Sequence, residues 1–242
     1  MKALIAKARK DYHKSLLENG VLTVDTKGIP SNADSSSKLS IAIARGIANQ
    51  LMAETHDKAV GQTSGAKFEQ LNMQFLMETF PNLQKLRPGK WHIVKLGNRN
   101  AIKTSSFAQY EHLDYLSKLT ESDAKLAASM GNDYMVAPDV VIYRDTVTDE
   151  EINSPQIIVD DTVCKMADIR AQNGGLPILH ASVSAKWTMR SDRAQNSRTF
   201  ALYELIKAVE ATGAEDSIEM LNVLIDGKRI KDISDLPLDL AI

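Results

Sequence analysis

The chain has 242 residues, of which 43% are hydrophobic and 25% charged, and its formal net charge is −2 at pH 7. This composition is typical of one globular domain, and it excludes a membrane-spanning protein because no apolar run approaches the roughly 18–20 residues that a span needs. Cys164 is the single cysteine, which excludes an internal disulfide and a cysteine-based zinc site. We therefore expect a cytoplasmic protein without a membrane partner, folded as a single domain over residues 1–242.

The first third of the chain predicts three amphipathic helices, because apolar residues recur there at helical spacing. Gly20 is expected to end the first helix, and Ser64 to cap the third. A short strand is expected over Val21–Val24, and Glu69 lies beside the apolar face of the third helix. The helices are predicted over residues 1–19, 39–54 and 66–79.

The rest of the chain predicts strands between further helices. Alternating or continuous apolar residues favour strands, and Asp226-Gly227 is a hairpin signal. We expect an α/β fold, with helices flanking a mixed central sheet. The strands are predicted over residues 91–96, 138–143 and 178–187, and the helices over 106–119, 124–130 and 190–209.

Positive charge is concentrated in two segments of this slightly acidic chain. Six basic residues and no acidic residue lie between Lys85 and Lys103. Four basic residues and one acidic residue lie between His180 and Arg198. Such segments suit a surface that faces phosphates, although solvated helix faces carry similar runs. They favour a nucleic-acid partner only if catalytic residues lie beside them.

The residues with the strongest chemical pattern are Asp139, at the start of one predicted strand, and Lys186, near the end of a later one. The sequence contains no phosphate-binding glycine loop, no nucleophile elbow and no paired histidines at metal-ligand spacing. Hydrolysis of a phosphodiester needs hard oxygen ligands for Mg²⁺ and a cation near the developing charge. Asp139, the carbonyl of Ala185 and Glu69 could hold the metal, and Lys186 could supply the cation. An ordinary strand aspartate and a surface lysine would give the same pattern.

The segment from Ser184 to Asn196 extends this pattern into a resemblance to a known family. Together with Pro30–Asp34, Gly61–Glu69, Pro138-Asp139 and Gly227–Ala241, it resembles the type II restriction endonucleases of the PD-(D/E)XK superfamily, in the branch that reads CCGG-containing sites. The resemblance covers nearly the whole chain.

The resemblance implies a catalytic and metal centre built from Asp139, Ser184, Lys186 and Glu69, with Mg²⁺ as cofactor, bound as two ions. It also implies a double-stranded DNA substrate, a GCCGGC-type palindrome, a homodimer or homotetramer, and a companion cytosine methyltransferase of a restriction–modification system. The residues implied to read DNA are Arg190, Asp192 and Arg193 for the central CCGG, Asp34 for the outer base pair, and Gln62 in the minor groove.

The chain departs from the family pattern after Arg198. It runs directly into Thr199 and Phe200, where family members carry a further segment that includes a strand, and Phe200 stands where they have a catalytic glutamate. Glu204 lies one helical turn beyond Phe200. Three interpretations stay open: an active nuclease with a reduced sheet and metal site, a catalytically impaired relative that still binds CCGG-type DNA, and a repair nuclease of the same superfamily.

Overall fold

The computed structural model describes residues 2–51, 61–96, 103–130, 138–189 and 222–242. The helices that we label are α1 (Leu4–Glu18), α2 (Lys38–Gln50), α3 (Gly61–Thr79), α4 (His112–Ser122), α5 (Ala124–Met130), α6 (Asp149–Ile152) and α7 (Leu236–Asp239), and residues 222–226 are also helical. The strands are β1 (Trp91–Lys95), β2 (Val140–Arg144) and β3 (Ile178–Val183). None of the helices in these ranges is long and apolar enough to cross a membrane.

Contacts between residues divide the chain into two compact units. The first unit joins Met1–Leu86 to Ser184–Ile242, and the second is Arg87–Val183. The first is mainly helical, whereas the second carries all three named strands. The single restriction-endonuclease-like domain over residues 1–242 stays a prediction.

The core of the first unit lies where α1 packs on α3. Ala8, Tyr12 and Leu16 are buried at four-residue intervals along α1, the spacing of side chains on one helix face. The Tyr12 ring meets Phe75 edge-on at 5.6 Å, and its hydroxyl donates to Oδ1 of Asn72 at 2.9 Å. Burial raises the pKa of the Tyr12 hydroxyl above its ordinary value. The predicted first helix, with Gly20 at φ +60° just past its end, is thus confirmed.

Two local predictions in the first unit are wrong: the strand over Val21–Val24 and the helix cap at Ser64. Val21–Val24 forms no strand, because only Val24 makes an isolated bridge, to Pro30, while Val21 itself is fully buried. Ser64 is not a cap, since α3 already begins at Gly61 and places Ser64 inside the helix, buried. A glycine-containing segment is therefore helical here, as happens when tertiary packing outweighs weak helix propensity.

The hairpin predicted at Asp226-Gly227 is also wrong. Residues 222–226 are helical, and the chain closes this helix with N–H bonds from Gly227 to the carbonyl of Val223 at 2.9 Å and from Arg229 to that of Leu224 at 2.8 Å. Lys228 takes the left-handed conformation, with φ +57°. Asp-Gly is common both in hairpin turns and at the ends of helices. In this chain it ends a helix.

The second unit is built on an antiparallel sheet in the order β1-β2-β3. In the central strand, Val140, Val141 and Ile142 are fully buried, which explains its continuous apolar run. The register pairs Ile93 with Ile142 and Val140 with Val183. The α/β class is confirmed; the named strands pair antiparallel, and parallel pairing occurs in the isolated bridges Ala33–Met189 and Val147–Arg170.

A long segment without strands, residues 153–177, joins α6 to β3 and is held by a buried arginine. The Arg170 side chain is 1% exposed, and its Nε and Nη2 donate to the two carboxylate oxygens of Asp149 at 2.7 and 2.6 Å. Its Nη1 donates to the carbonyl of Val163 at 2.7 Å. These bonds fix a segment whose surface carries exposed apolar side chains: Ile157, Ile158, Val163 and Met166.

Candidate active site

Asp139 directly precedes the buried central strand β2. Its carbonyl accepts a hydrogen bond from the N–H of Leu96 at 2.9 Å, one step beyond the Lys95–Val140 pair. The ladder between β1 and β2 thus continues through Asp139 and holds its backbone at the end of the sheet. The residue is half-buried, so a carboxylate is held at a fixed sheet end.

The sequence Ser184-Ala185-Lys186 directly follows β3. This strand ends at Val183, earlier than the predicted end at Trp187, so Lys186 lies on irregular chain. The last residue of β3, Val183, pairs with Val140 of β2. Ser184 and Lys186 are exposed, and Ala185 is buried at 9% exposure.

Within the first unit, an aromatic contact joins the lysine-bearing segment to α3. The rings of Phe68 and Trp187 lie 4.9 Å apart, centroid to centroid, and both pack against the core formed by α1 and α3. Glu69 follows Phe68 and is half-buried, and Lys186 precedes Trp187. This contact therefore fixes the backbones that carry Glu69 and Lys186 relative to each other.

The donors proposed for a metal are the carboxylates of Asp139 and Glu69 and the carbonyl of Ala185. All are hard oxygen donors, and Mg²⁺ is usually held by one or two carboxylates, with water and substrate phosphate completing its shell. The donor chemistry therefore fits Mg²⁺. Within the described ranges, no group of three or more His, Cys, Asp or Glu side chains could hold a metal ion.

Asp34 lies in a turn that orders its own side chain. The N–H and the hydroxyl of Ser36 both donate to Oδ1 of Asp34, at 3.0 and 2.7 Å, and the N–H of Ser37 donates to its carbonyl at 3.1 Å. The N–H of Asp34 donates to Oγ of Ser40 at 2.8 Å. A carboxylate at the turn is thus held in a defined orientation.

The same region contacts Met189, the residue before Arg190. The N–H of Met189 donates to the carbonyl of Asn32 at 2.9 Å, and the hydroxyl of Ser40 donates to the carbonyl of Met189 at 3.0 Å. Ser40 was not among the predicted site residues. No local pattern could have identified it, because its partner is 149 positions away.

The other predicted site residues are placed only in part. Gln62 falls in the first turn of α3. Arg190, Asp192 and Arg193 lie outside the described residues, as do Phe200 and Glu204.

Comparison with known proteins identifies the family. The family model described as NgoMIV restriction enzyme matches residues 12–199 and 199–242. The type II restriction enzyme NgoMIV of Neisseria gonorrhoeae is 37% identical over 286 aligned positions, which cover 100% of both chains. The alignment is longer than this chain of 242 residues, and the two family matches meet at Thr199, in agreement with the missing segment predicted after Arg198. Similarity over both complete chains shows common descent, and the chain therefore belongs to the NgoMIV family of type II restriction endonucleases.

Proposed function

We propose that the protein is a Mg²⁺-dependent deoxyribonuclease that hydrolyses phosphodiester bonds of double-stranded DNA within a CCGG-centred palindrome, GCCGGC, as part of a restriction–modification system. The observation that supports this most is that a half-buried aspartate, Asp139, directly precedes the buried strand β2, while Ser184-Ala185-Lys186 directly follows β3 in the chain. A companion cytosine methyltransferase would protect the same site in the host.

The proposed chemistry uses few side chains. Asp139, Glu69 and the carbonyl of Ala185 would hold Mg²⁺, bound as two ions. Bound Mg²⁺ neutralises phosphate charge and lowers the pKa of a water molecule. The ammonium of Lys186 stabilises negative charge that develops on the phosphate, and the hydroxyl of Ser184 can donate or accept a hydrogen bond beside it.

The proposed reading of DNA involves three segments of the first unit, which carry Asp34, Gln62, and Arg190 with Asp192 and Arg193. Arg190 and Arg193 can each bond O6 and N7 of guanine in the major groove, and Asp192 can accept from N4 of cytosine. Asp34 reads the outer base pair and Gln62 enters the minor groove. The bonds that join Asn32 and Ser40 to Met189 support this proposal, because they attach the Asp34 turn to the residue before Arg190.

A palindromic site calls for a two-fold symmetric protein, and we propose a homodimer or homotetramer. Exposed apolar side chains on residues 157–166 support an assembly, since Ile157 is 79% and Met166 94% exposed on a segment held by Arg170. Large apolar side chains left exposed are one mark of an interaction surface.

A second function is favoured by Phe200, which replaces the expected glutamate. In that case the protein binds CCGG-type DNA but is catalytically impaired. Incubation of plasmid DNA with Mg²⁺ and either the wild type or Asp139→Ala distinguishes the two. Cleavage by the wild type alone supports the nuclease; salt-sensitive, sequence-specific binding without cleavage by either protein supports the impaired relative. Cleavage without site preference would favour a repair nuclease.

A further inference from the structure

We propose that Ser40 is a positioning residue that sets the register between two of the DNA-reading segments, and so determines how strictly the outer base pair of the site is read. The proposal rests on the proposed function, because it takes Asp34 as the reader of the outer pair and the element beginning at Arg190 as the reader of CCGG.

The hydroxyl of Ser40 bridges two backbone groups that are far apart in sequence. Its Oγ accepts from the N–H of Asp34 at 2.8 Å and donates to the carbonyl of Met189 at 3.0 Å. The side chain lies in the first turn of α2, where the N–H of Ser40 donates to Oγ of Ser37 at 3.2 Å. Ser40 is 7% exposed. A serine hydroxyl has one proton, so donation to Met189 fixes its orientation.

Each of the two backbone groups bonded by Ser40 belongs to a peptide unit next to a residue that is proposed to read DNA. The carbonyl of Met189 belongs to the peptide unit through which the chain continues to Arg190. The N–H of Asp34 likewise lies in the plane that ends at the α-carbon of Asp34. One hydroxyl therefore orients the plane entering the outer-pair reader and the plane entering the central reader.

The two sides of Met189 are held by different partners in the described part of the chain. The N–H of Met189 donates to the carbonyl of Asn32 at 2.9 Å, within the isolated parallel bridge between Ala33 and Met189. This bond holds the amino side of Met189. The carboxyl side, which continues into Arg190, is held by Ser40. Loss of the hydroxyl would thus leave the two segments attached but would release their relative orientation.

Ser31 offers a matched control in the same part of the chain. Its hydroxyl accepts from the N–H of Thr23 at 3.1 Å and donates to the carbonyl of Val21 at 2.7 Å. It therefore makes the same kind of bridge as Ser40, but to residues 21–23 rather than to Met189. Ser31→Ala removes a comparable bond without touching the connection to Arg190.

The test measures equilibrium binding without Mg²⁺ to three duplexes, which contain GCCGGC, ACCGGT or the scrambled GCGCGC. The ratio of the first two affinities reports the reading of the outer pair, and the ratio of the first and third reports the reading of the centre. We expect Ser40→Ala to lower the outer-pair ratio about tenfold, the equivalent of one hydrogen bond. Ser31→Ala should leave this ratio unchanged, and Ser40→Thr, which keeps the hydroxyl, should restore it.

The outcomes separate this proposal from the proposed function. If the wild type binds GCCGGC and GCGCGC equally, the proposed function fails. If the wild type discriminates and Ser40→Ala keeps the outer-pair ratio, or Ser31→Ala lowers it equally, Ser40 has no positioning role. If Ser40→Ala does not fold, Ser40→Cys is used instead, because a thiol keeps the volume but is a weak donor. An outer-pair ratio that Ser40→Cys leaves unchanged, or that Ser31→Ala lowers equally, then refutes the positioning role.

Discussion

The ring of Phe68 packs against the indole of Trp187, with 4.9 Å between the ring centroids and 52° between the planes. Phe68 adjoins Glu69 on α3, and Trp187 adjoins Lys186 beyond β3. A proposed metal ligand and the proposed catalytic cation are therefore held by one aromatic contact between residues distant in sequence.

Phe68→Ala is expected to lower the cleavage rate more than the affinity for DNA. Removal of the ring leaves Trp187 without this contact, so Lys186 is positioned less well. We expect a loss in stability of about 2 kcal/mol, less than for a fully buried phenylalanine, because Phe68 is half-buried. Single-turnover cleavage and binding, measured below the unfolding transition, check this. Phe68→Leu is the control that keeps most of the volume; a normal cleavage rate in Phe68→Ala would refute the positioning role.

Tyr12→Phe should destabilise the first unit. The substitution removes the hydroxyl that donates to Oδ1 of Asn72 and leaves that buried acceptor without the bond. Leaving such a group unsatisfied costs about 1–3 kcal/mol. Urea unfolding measures the change. Tyr110→Phe is a matched control because Tyr110 is exposed, and a change within about 0.5 kcal/mol is expected there. Equal effects of the two substitutions would contradict the prediction.

The Asp149–Arg170 pair should make stability depend on pH in the acid range. Hydrogen bonds from Arg170 hold the pKa of the Asp149 carboxyl below its ordinary value of 3.8. A carboxyl whose pKa is lower in the folded state contributes stability above the unfolded-state pKa and loses it as the pH falls through the folded-state value. The contribution is thus complete at neutral pH and disappears below 3.8.

Arg170→Met tests this contribution by removing the charge while keeping a long side chain. We expect lower stability at pH 7, because an uncompensated carboxylate is left at a partly buried site, and a weaker dependence on pH below about 4. Thermal unfolding between pH 3 and pH 7 measures both. Lys118→Met removes an exposed pair with Asp114, and its effect should be small. A parallel pH profile for wild type and Arg170→Met would contradict the account.

Met166→Asp should weaken self-association. Met166 is 94% exposed on the segment that also carries the exposed Ile157, and a charge there would have to be desolvated in an interface. Sedimentation should give the wild type a multiple of the 26.7 kDa chain mass and shift the variant towards one chain. Met77→Asp, at an exposed methionine of α3, is the control. An unchanged mass for Met166→Asp would exclude this segment from the interface.

Local pattern predicted much of the fold but not its long-range contacts. The apolar run from Val140 to Ile142 and the helical spacing of Ala8, Tyr12 and Leu16 report burial directly, so both elements were predicted correctly. Asp226-Gly227 was misread because one turn signal serves two structures.

For the candidate site, the sequence indicated which residues carry chemistry, and the family resemblance assigned their roles. The sequence could not indicate which long-range contacts hold these residues in place. The Ser40 hydroxyl meets Met189 across 149 positions, and the buried Arg170 pairs with Asp149 and with the carbonyl of Val163. Contacts of this kind arise from tertiary packing and produce no periodic pattern in the sequence.

Site-specific, Mg²⁺-dependent cleavage is measured on a duplex with one GCCGGC site beside a duplex with GCGCGC. Each is incubated with and without Mg²⁺ and with the wild type, Asp139→Ala or Lys186→Ala. We expect the wild type to cut only the GCCGGC duplex and only with Mg²⁺. Either substitution should lower the rate at least about a hundredfold, as expected for loss of a metal ligand or of a charge-stabilising group. Equal cleavage of both duplexes, or a wild-type rate no higher than that of Asp139→Ala, would contradict the proposed function.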